Sequence, residues 1–207
     1  METSQTTQKQ LTDYTAFDLL AIAPDTQLQE MEFFNIKGKP NNLNNLKLPV
    51  SRGVKYKFEY GMLANGLLVK PVGITDPNLT TPAGQQQYLE YQRDFENTSM
   101  IVYKIQGVEY PAVPFSSFLS YKIERVGGTY QKVDKPNLQN HVFRDVILVE
   151  EGDLNFYFRP ASGYQTFTTL ASASTLPSIT NILKGPGYTL ELFLRGEITR
   201  PIANYTN

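Results

Sequence analysis

From residue 99 onward the chain alternates short apolar segments with turn residues, and this spacing constrains the fold more than any other feature. Runs such as SMIVYKI (99–105), HVFRDVILVE (141–150) and YTLELFLRGEITRPI (188–202) are rich in β-branched and aromatic residues. Turn signals recur every 8 to 15 residues or so, roughly as in an antiparallel sandwich or barrel. The sequence lacks the strand–helix–strand alternation that is typical of a parallel sheet. We therefore predict an all-β protein, an antiparallel β-sandwich.

The segment GVKYKFEY (53–60) shows the strand pattern most clearly. Its apolar residues Val54, Tyr56, Phe58 and Tyr60 share one parity, and two lysines and a glutamate take the other. Aromatic residues beside lysines also occur on surfaces that bind single-stranded nucleic acid. The formal net charge of −1 argues against the basic groove that such binding needs. We predict a half-buried strand with its aromatic side chains in the core.

Two segments carry a helical pattern instead. Segment 11–22 has apolar residues at helical spacing, and Pro24 follows it. Segment 85–95 places four residues on one helical face: Tyr88, Tyr91, Gln92 and Phe95. The prediction is a sandwich with one or two short helices at these positions.

Turn chemistry predicts the hairpins. Asn65-Gly66 lies between two apolar runs, and this dipeptide favours the type I′ turn that joins two paired strands. Gln106-Gly107, Gly127-Gly128 and Glu151-Gly152-Asp153 mark further strand connections. Three longer polar stretches are predicted as loops: 38–53, 75–84 and 172–187.

The organisation predicted from these patterns is a flexible N-terminal arm, 1–10, followed by a single β-sandwich domain, 11–207. The arm METSQTTQKQ is polar and lacks the apolar core of a secretory signal peptide. No apolar run approaches the ~18–20 residues of a membrane-spanning helix. The 207 residues contain no cysteine, so neither disulfides nor thiolate metal sites are expected.

The sequence shows no constellation that names a reaction. His141 is the chain's one histidine, no G-x-S-x-G motif accompanies it, and sites built on paired histidines are excluded. Glu150, Glu151 and Asp153 surround a turn glycine and are interpreted as a solvated turn, although calcium uses such oxygens. Arg159 and Arg200 are interpreted as structural or interface residues. We predict no catalytic residue, no metal site and no cofactor, and the ligand-binding residues remain unknown.

The order of polar arm, short helix and eight or more strands, with Asn- and Gln-rich stretches such as NNLNNL and GQQQY, resembles jelly-roll capsid and penton proteins of tailless icosahedral bacteriophages. The resemblance rests on architecture and composition. It implies a virion structural protein without enzymatic activity, assembled in the host cytoplasm. Its partners would be further copies of itself, through the arm and the inter-strand loops, and other virion proteins.

Two other functions stay open on the sequence. The first is a carbohydrate- or receptor-binding sandwich, such as a phage spike or tail component, with tyrosines stacking on sugar rings in patches like Tyr88-Leu89-Glu90-Tyr91. The absence of tryptophan argues against it. The second is a β-sandwich hydrolase that uses scattered carboxylates, which a sequence alone does not bring together.

Overall fold

The computed structural model describes residues 9–34, 55–65, 68–135, 141–147, 154–167 and 188–201. In these ranges the strands pair antiparallel and one α-helix is present. The strands are, in chain order, β1 (Lys9–Ile22), β2 (Met31–Phe33), β3 (Lys55–Asn65), β4 (Val69–Pro71), β5 (Met100–Ile105), β6 (Val108–Glu109), β7 (Val113–Pro114), β8 (Tyr121–Val126), β9 (Thr129–Asp134), β10 (His141–Ile147), β11 (Leu154–Arg159), β12 (Tyr164–Thr166) and β13 (Tyr188–Pro201). The predicted antiparallel β-sandwich is confirmed.

Two larger sheets, named sheet I and sheet II, form the sandwich. Sheet I has the strand order β1-β13-β3-β10, and sheet II has the order β2-β11-β5-β6, with β7 also paired to β5. Two smaller sheets, β4 with β12 and β8 with β9, lie outside them. β1 and β13 pair along their whole length, from Lys9 opposite Pro201 to Ile22 opposite Tyr188.

The two larger sheets share one hydrophobic core. Sheet I contributes Leu20, Ile22, Met62, Leu190 and Leu192, and sheet II contributes Phe33, Ile101, Tyr103, Ile105, Phe156 and Phe158. These residues alternate along their strands, as expected when one face of each sheet is buried. Buried phenylalanines fill the space between elements, and Phe95 packs edge-on to Phe115 and Phe158 at centroid distances of 6.3 and 6.1 Å.

The α-helix, α1, spans Pro82–Thr98 and confirms and extends the predicted helix at 85–95. Thr81 caps its N-terminus, where its Oγ1 accepts the backbone N–H of Gly84 at 3.1 Å. At the other end, the backbone N–H of Ser99 bonds to the carbonyl of Phe95 at 2.8 Å. The predicted apolar face is the buried one, since Tyr88, Gln92 and Phe95 are all buried.

The helix predicted at 11–22 is wrong, because these residues form β1. The apolar residues do recur at helical spacing, but β13 offers a hydrogen-bonding partner for the whole segment. The inward-facing residues follow the period of two, with Asp18, Leu20 and Ile22 buried and Ala21 exposed. Asp18 interrupts the apolar alternation, so the strand pattern was hidden in the sequence. Lys9 and Gln10, assigned to the flexible arm, belong to this strand, and residues 1–8 lie outside the described ranges.

The hairpin predicted at Asn65-Gly66 is also wrong as a pairing. β3 pairs with β13 and β10, whereas β4 pairs with β12, so the strands on either side of Asn65-Gly66 are not neighbours. β10 and β11, predicted to be joined by a turn at 151–153, lie in different sheets. The loop at 38–53, the turn at 151–153 and the loop at 172–187 lie outside the described residues.

Two predicted hairpin turns are confirmed. Gln106 and Gly107 have φ values of 50° and 77° between β5 and β6, and Gly127 and Gly128 have 59° and 91° between β8 and β9. Positive φ at both central positions is the geometry of a type I′ turn. Helix Phe115–Phe118, a short 3₁₀ turn, precedes β8 and buries both its phenylalanines.

Candidate functional site

Most of the residues considered for catalysis or metal binding lie outside the side chains that the structure describes. His141 begins β10 opposite Tyr60, and the side chains of both lie outside the described ones. Glu150, Glu151 and Asp153 lie outside the described residues altogether. Catalysis by His141 and calcium binding at the turn are therefore untested. Among the residues that the structure describes, no three His, Cys, Asp or Glu side chains are grouped to hold a metal ion.

Arg159, the last residue of β11, forms an ion pair at the surface. Its Nε lies 2.6 Å from Glu30 Oε2, and both side chains are about half exposed. Such a surface ion pair contributes little to stability. Arg200 lies in β13 opposite Gln10, and its side chain is outside the described ones.

The tyrosines at 88 and 91 do not form the sugar-stacking patch considered from the sequence. Tyr88 is only 2% exposed and belongs to the core. Tyr91 is partly exposed, and its hydroxyl accepts a hydrogen bond from Gln87 Nε2 at 2.7 Å. One buried ring and one accessible ring on a helix cannot present two faces to a sugar.

A buried polar cluster joins α1 to β8. Tyr121 Oη donates to Glu96 Oε1 at 2.6 Å, and Gln92 Nε2 donates to the same oxygen at 2.7 Å. Glu96 is 2% exposed and Gln92 is 1% exposed. Gln92 Oε1 is buried without a hydrogen-bond partner among the described residues. We call Gln92, Glu96 and Tyr121 the Glu96 cluster.

Burial governs the electrostatics of this cluster. Removal from water raises the pKa of Glu96, and the hydrogen bonds from Tyr121 and Gln92 and the charges of Lys132 and Lys135 oppose this rise only in part. Burial and the neighbouring Glu96 also raise the pKa of Tyr121 well above that of a free tyrosine. A carboxyl with a raised pKa is typical of a general acid, but a general acid must reach its substrate, and the Glu96 carboxyl is enclosed.

The hairpin β8–β9 belongs to neither large sheet and packs on α1. The Gln86 side-chain amide makes two hydrogen bonds to the backbone of Tyr130, since Nε2 donates to the carbonyl at 3.0 Å and Oε1 accepts the N–H. Arg93 stacks over the Tyr130 ring at 4.6 Å and donates to its hydroxyl at 2.9 Å. The hairpin is therefore held by side-chain contacts rather than by sheet hydrogen bonds to the sandwich.

The outward face of sheet II carries several polar pairs beside Val102, which is 2% exposed, and Tyr157, which is partly exposed. Lys104 and Glu109 form an ion pair at 3.2 Å, and Asn155 donates to Glu32 at 3.0 Å. With Arg159 and Glu30, these pairs run across β2, β11, β5 and β6. A face whose charges already have partners is typical of a solvated surface.

Exposed apolar side chains lie instead at connections between elements. Val72 (47% exposed) and Ile74 (41%) follow β4, and Val126 (47%) precedes the turn of the β8–β9 hairpin. Val108 (59%) and Tyr110 (39%) lie in and just after β6. The Tyr110 ring stacks on Tyr103 at a centroid distance of 5.1 Å and an interplanar angle of 20°, so one aromatic ring is held in place at the rim of the core. These connections are the candidate contact points of the molecule.

Sequence reasoning missed the Glu96 cluster, although one of its signals was visible. Gln92 was placed on the apolar face of the predicted helix, and a polar residue on such a face needs a buried partner. Tyr121 was not identifiable as that partner, because the contact spans 25 residues and depends on how the hairpin docks.

The fold and these contacts define an antiparallel β-sandwich protein that carries a helix and a docked hairpin beside its two sheets. No protein-family model, no curated protein and no solved structure matches this chain. In the part of the chain that the structure describes, no helix is both long enough and apolar enough to span a membrane.

Proposed function

We propose that this chain is a virion structural protein, a capsid or penton subunit that assembles with further copies of itself. The observation that supports the proposal is how eight strands pair, the four of sheet I and the four in the main order of sheet II. β1 pairs with β13, β2 with β11, β3 with β10 and β5 with β6, so the pairs are nested from the outermost strands inward. Successive pairs alternate between sheet I and sheet II.

Nested pairs that alternate between two sheets are what a long antiparallel hairpin gives when it is rolled into two Greek keys. This strand order supports a jelly roll, a fold that viral capsid proteins share with lectins and cupins. A jelly roll that binds metal through several histidines is excluded here, because the chain has one histidine. The capsid interpretation agrees with the polar arm and with the resemblance to tailless icosahedral bacteriophage proteins.

The surfaces favour assembly through edges and connections. The outer face of sheet II carries charge pairs, whereas the exposed apolar residues lie at the ends of strands or just after them. β1 lies at one edge of sheet I, and residues 1–8 precede it directly. A polar arm continuing from an edge strand can add main-chain hydrogen bonds to a neighbouring subunit. Further virion proteins and a location in the virion, after assembly in the host cytoplasm, are part of this proposal.

Assembly is tested by comparing the full chain with two truncations of similar size. Deleting residues 1–8 leaves β1 intact, and deleting residues 202–207 leaves β13 intact, so each variant keeps its sheet. We expect the full chain and the C-terminal truncation to form pentamers, trimers or larger particles in sedimentation velocity and electron microscopy. The N-terminal truncation should melt normally and assemble poorly. A full chain that stays monomeric at high concentration overturns the proposal.

A second function, a carbohydrate- or receptor-binding module, is favoured by Tyr110, the one large aromatic residue that is well exposed among those the structure describes. Its ring is 39% exposed and is supported from behind by Tyr103, which itself stacks on Phe156 at 5.6 Å. An aromatic ring fixed in this way can bind the apolar face of a sugar. Binding of a soluble glycan by a monomeric protein, lost in Tyr110→Ala, would favour this function over the shell.

A further inference from the structure

The Glu96 carboxyl lies where α1, β8 and β9 meet, so its charge affects how the hairpin packs on the helix. It projects from α1, accepts the hydroxyl proton of Tyr121 from β8, and is 2% exposed. Lys132 of β9 places its Nζ 4.4 Å from the centre of the Tyr121 ring. The inner side of the hairpin therefore covers the Glu96 carboxyl, with Tyr121 and Lys132 beside it.

Among the described residues, the hairpin has other attachments as well. Gln86 and Arg93 hold Tyr130 from the same helix, and Tyr121 packs against the core. The backbone N–H of Lys135 bonds to the carbonyl of Ser120 at 2.9 Å, which extends the β8–β9 pairing by one position. The Lys135 ammonium donates to the carbonyl of Ser116 in the 3₁₀ turn. An isolated two-stranded hairpin is marginally stable in water, so its order depends on docking to α1.

We propose that Glu96 is a pH-sensitive latch: the β8–β9 hairpin docks most tightly on α1 when Glu96 is neutral and loosens when Glu96 ionises. The physical reason is that docking removes the carboxyl from water and leaves Gln92 Oε1 unpaired beside it. An ionised carboxylate loses more hydration on docking than a neutral carboxyl does. The inference concerns this chain alone and does not depend on assembly.

The surrounding charges modify the latch without replacing it. Facing Glu96 are Tyr121 from β8, Lys132 from β9, Lys135 beyond it, and Gln92 on α1, and Tyr88 on α1 lies near Tyr121. Tyr121, Gln92 and the two lysines each favour the ionised carboxylate. Burial outweighs them, so the pKa of Glu96 in the docked state is raised from 4.5. Removing one of these four groups should raise the pKa of docked Glu96 further, so that the hairpin continues to loosen up to a higher pH.

The sign of the effect follows from this raised pKa. Below the pKa of the undocked carboxyl, Glu96 is neutral in both states and docking is at full strength. As the pH rises from there towards the pKa of docked Glu96, undocking releases a proton, so the opening constant rises by up to about tenfold per pH unit. Above the docked pKa both states are ionised and the opening constant levels off.

Backbone hydrogen–deuterium exchange of β8 and β9, corrected for intrinsic rates, measures the opening directly between about pH 5 and pH 8. In the wild type, protection of the hairpin should fall with pH relative to the amides of β5. Glu96→Gln should remove this dependence, and Tyr121→Phe, which removes a donor to the carboxylate, should extend it to higher pH. The matched control Glu124→Gln, on the hairpin but partly exposed and paired with Lys122 at 2.7 Å, should behave as wild type.

Carboxyl-carbon NMR of the wild type gives a second measurement that does not depend on any variant folding. The Glu96 resonance should titrate above 4.5, in step with the loss of hairpin protection. A Glu96 that titrates at or below that value overturns the latch. So does a hairpin whose protection follows that of β5 at every pH, or a Glu96→Gln variant with the same pH dependence as wild type.

Discussion

The Asp18 carboxylate accepts a hydrogen bond from the backbone N–H of Phe34, and so joins the middle of β1 to the residue that follows β2. Asp18 is fully buried, and it also accepts the N–H of Leu19 at 2.9 Å. Phe34 has a φ of 59°, an uncommon value for a large side chain. The carboxylate thus stabilises a sharp change of chain direction at the junction of sheets I and II.

Replacing Asp18 with alanine should destabilise the fold clearly, because it removes the acceptor of the buried Phe34 N–H and of the partly buried Leu19 N–H. Each such group costs about 1–3 kcal/mol in the free energy of unfolding. Urea denaturation of Asp18→Ala should show this loss, with Asp134→Ala, an exposed aspartate in β9, as the control near zero. Equal midpoints for Asp18→Ala and wild type would contradict the role assigned to the carboxylate.

Gly84 in the first turn of α1 should not tolerate alanine. A Cβ built there lies 1.9 Å from the backbone carbonyl oxygen of Asn78. Alanine in an open helix site is more stable than glycine by about 1 kcal/mol, but here the chain before the helix must move. We expect Gly84→Ala to lower the free energy of unfolding by about 1–3 kcal/mol, as overpacking does.

The neighbouring exposed residue Ala83 supplies the matched control for Gly84. Ala83→Gly should cost only the helix-propensity difference of about 1 kcal/mol. Thermal melting of the two variants separates the effects. A higher melting temperature for Gly84→Ala would show that the contact with Asn78 is not restrictive.

The helix cap gives a third prediction. Thr81 Oγ1 accepts the N–H of Gly84 at 3.1 Å, so Thr81→Ala should cost about 0.5–2 kcal/mol in chemical denaturation. Thr81→Ser keeps the hydroxyl and should recover most of that loss. If serine and alanine destabilise equally, the methyl group of Thr81 rather than its oxygen is what matters.

Features set by neighbouring residues could be predicted from the sequence. Gln106-Gly107 and Gly127-Gly128 form the expected turns because the backbone conformation of a tight hairpin is decided by its two central residues. Helix α1 was predictable for a similar reason, since its apolar face and its termini are encoded locally.

Features set by distant residues were not predictable. Asn65-Gly66 has the right turn chemistry, but β3 finds its partners in β13 and β10, far along the chain. Segment 11–22 has apolar residues at helical spacing, but it forms a strand because it pairs with β13 along its whole length. The Glu96 cluster has the same origin, because Tyr121 reaches Glu96 only after the hairpin docks. Sequence periodicity predicts candidate helices and strands, and pairing with distant segments determines which of them form.

The GVKYKFEY segment provides the last prediction. Residues 55–60 of this segment begin β3, and their side chains lie outside the described ones. Further along the strand, Met62 and Ala64 share the parity of Phe58, and Met62 is 2% exposed. Because successive residues of a strand face opposite sides, we expect Phe58 in the core and Lys57 in solvent. Phe58→Ala should then lower the free energy of unfolding by about 3–5 kcal/mol, and Lys57→Ala should leave it within about 0.5 kcal/mol. Guanidinium denaturation measures both, and a fluorescent single-stranded oligonucleotide tests the competing role. If Lys57→Ala abolished oligonucleotide binding while Phe58→Ala left stability unchanged, the aromatic residues would form a stacking surface and not a core.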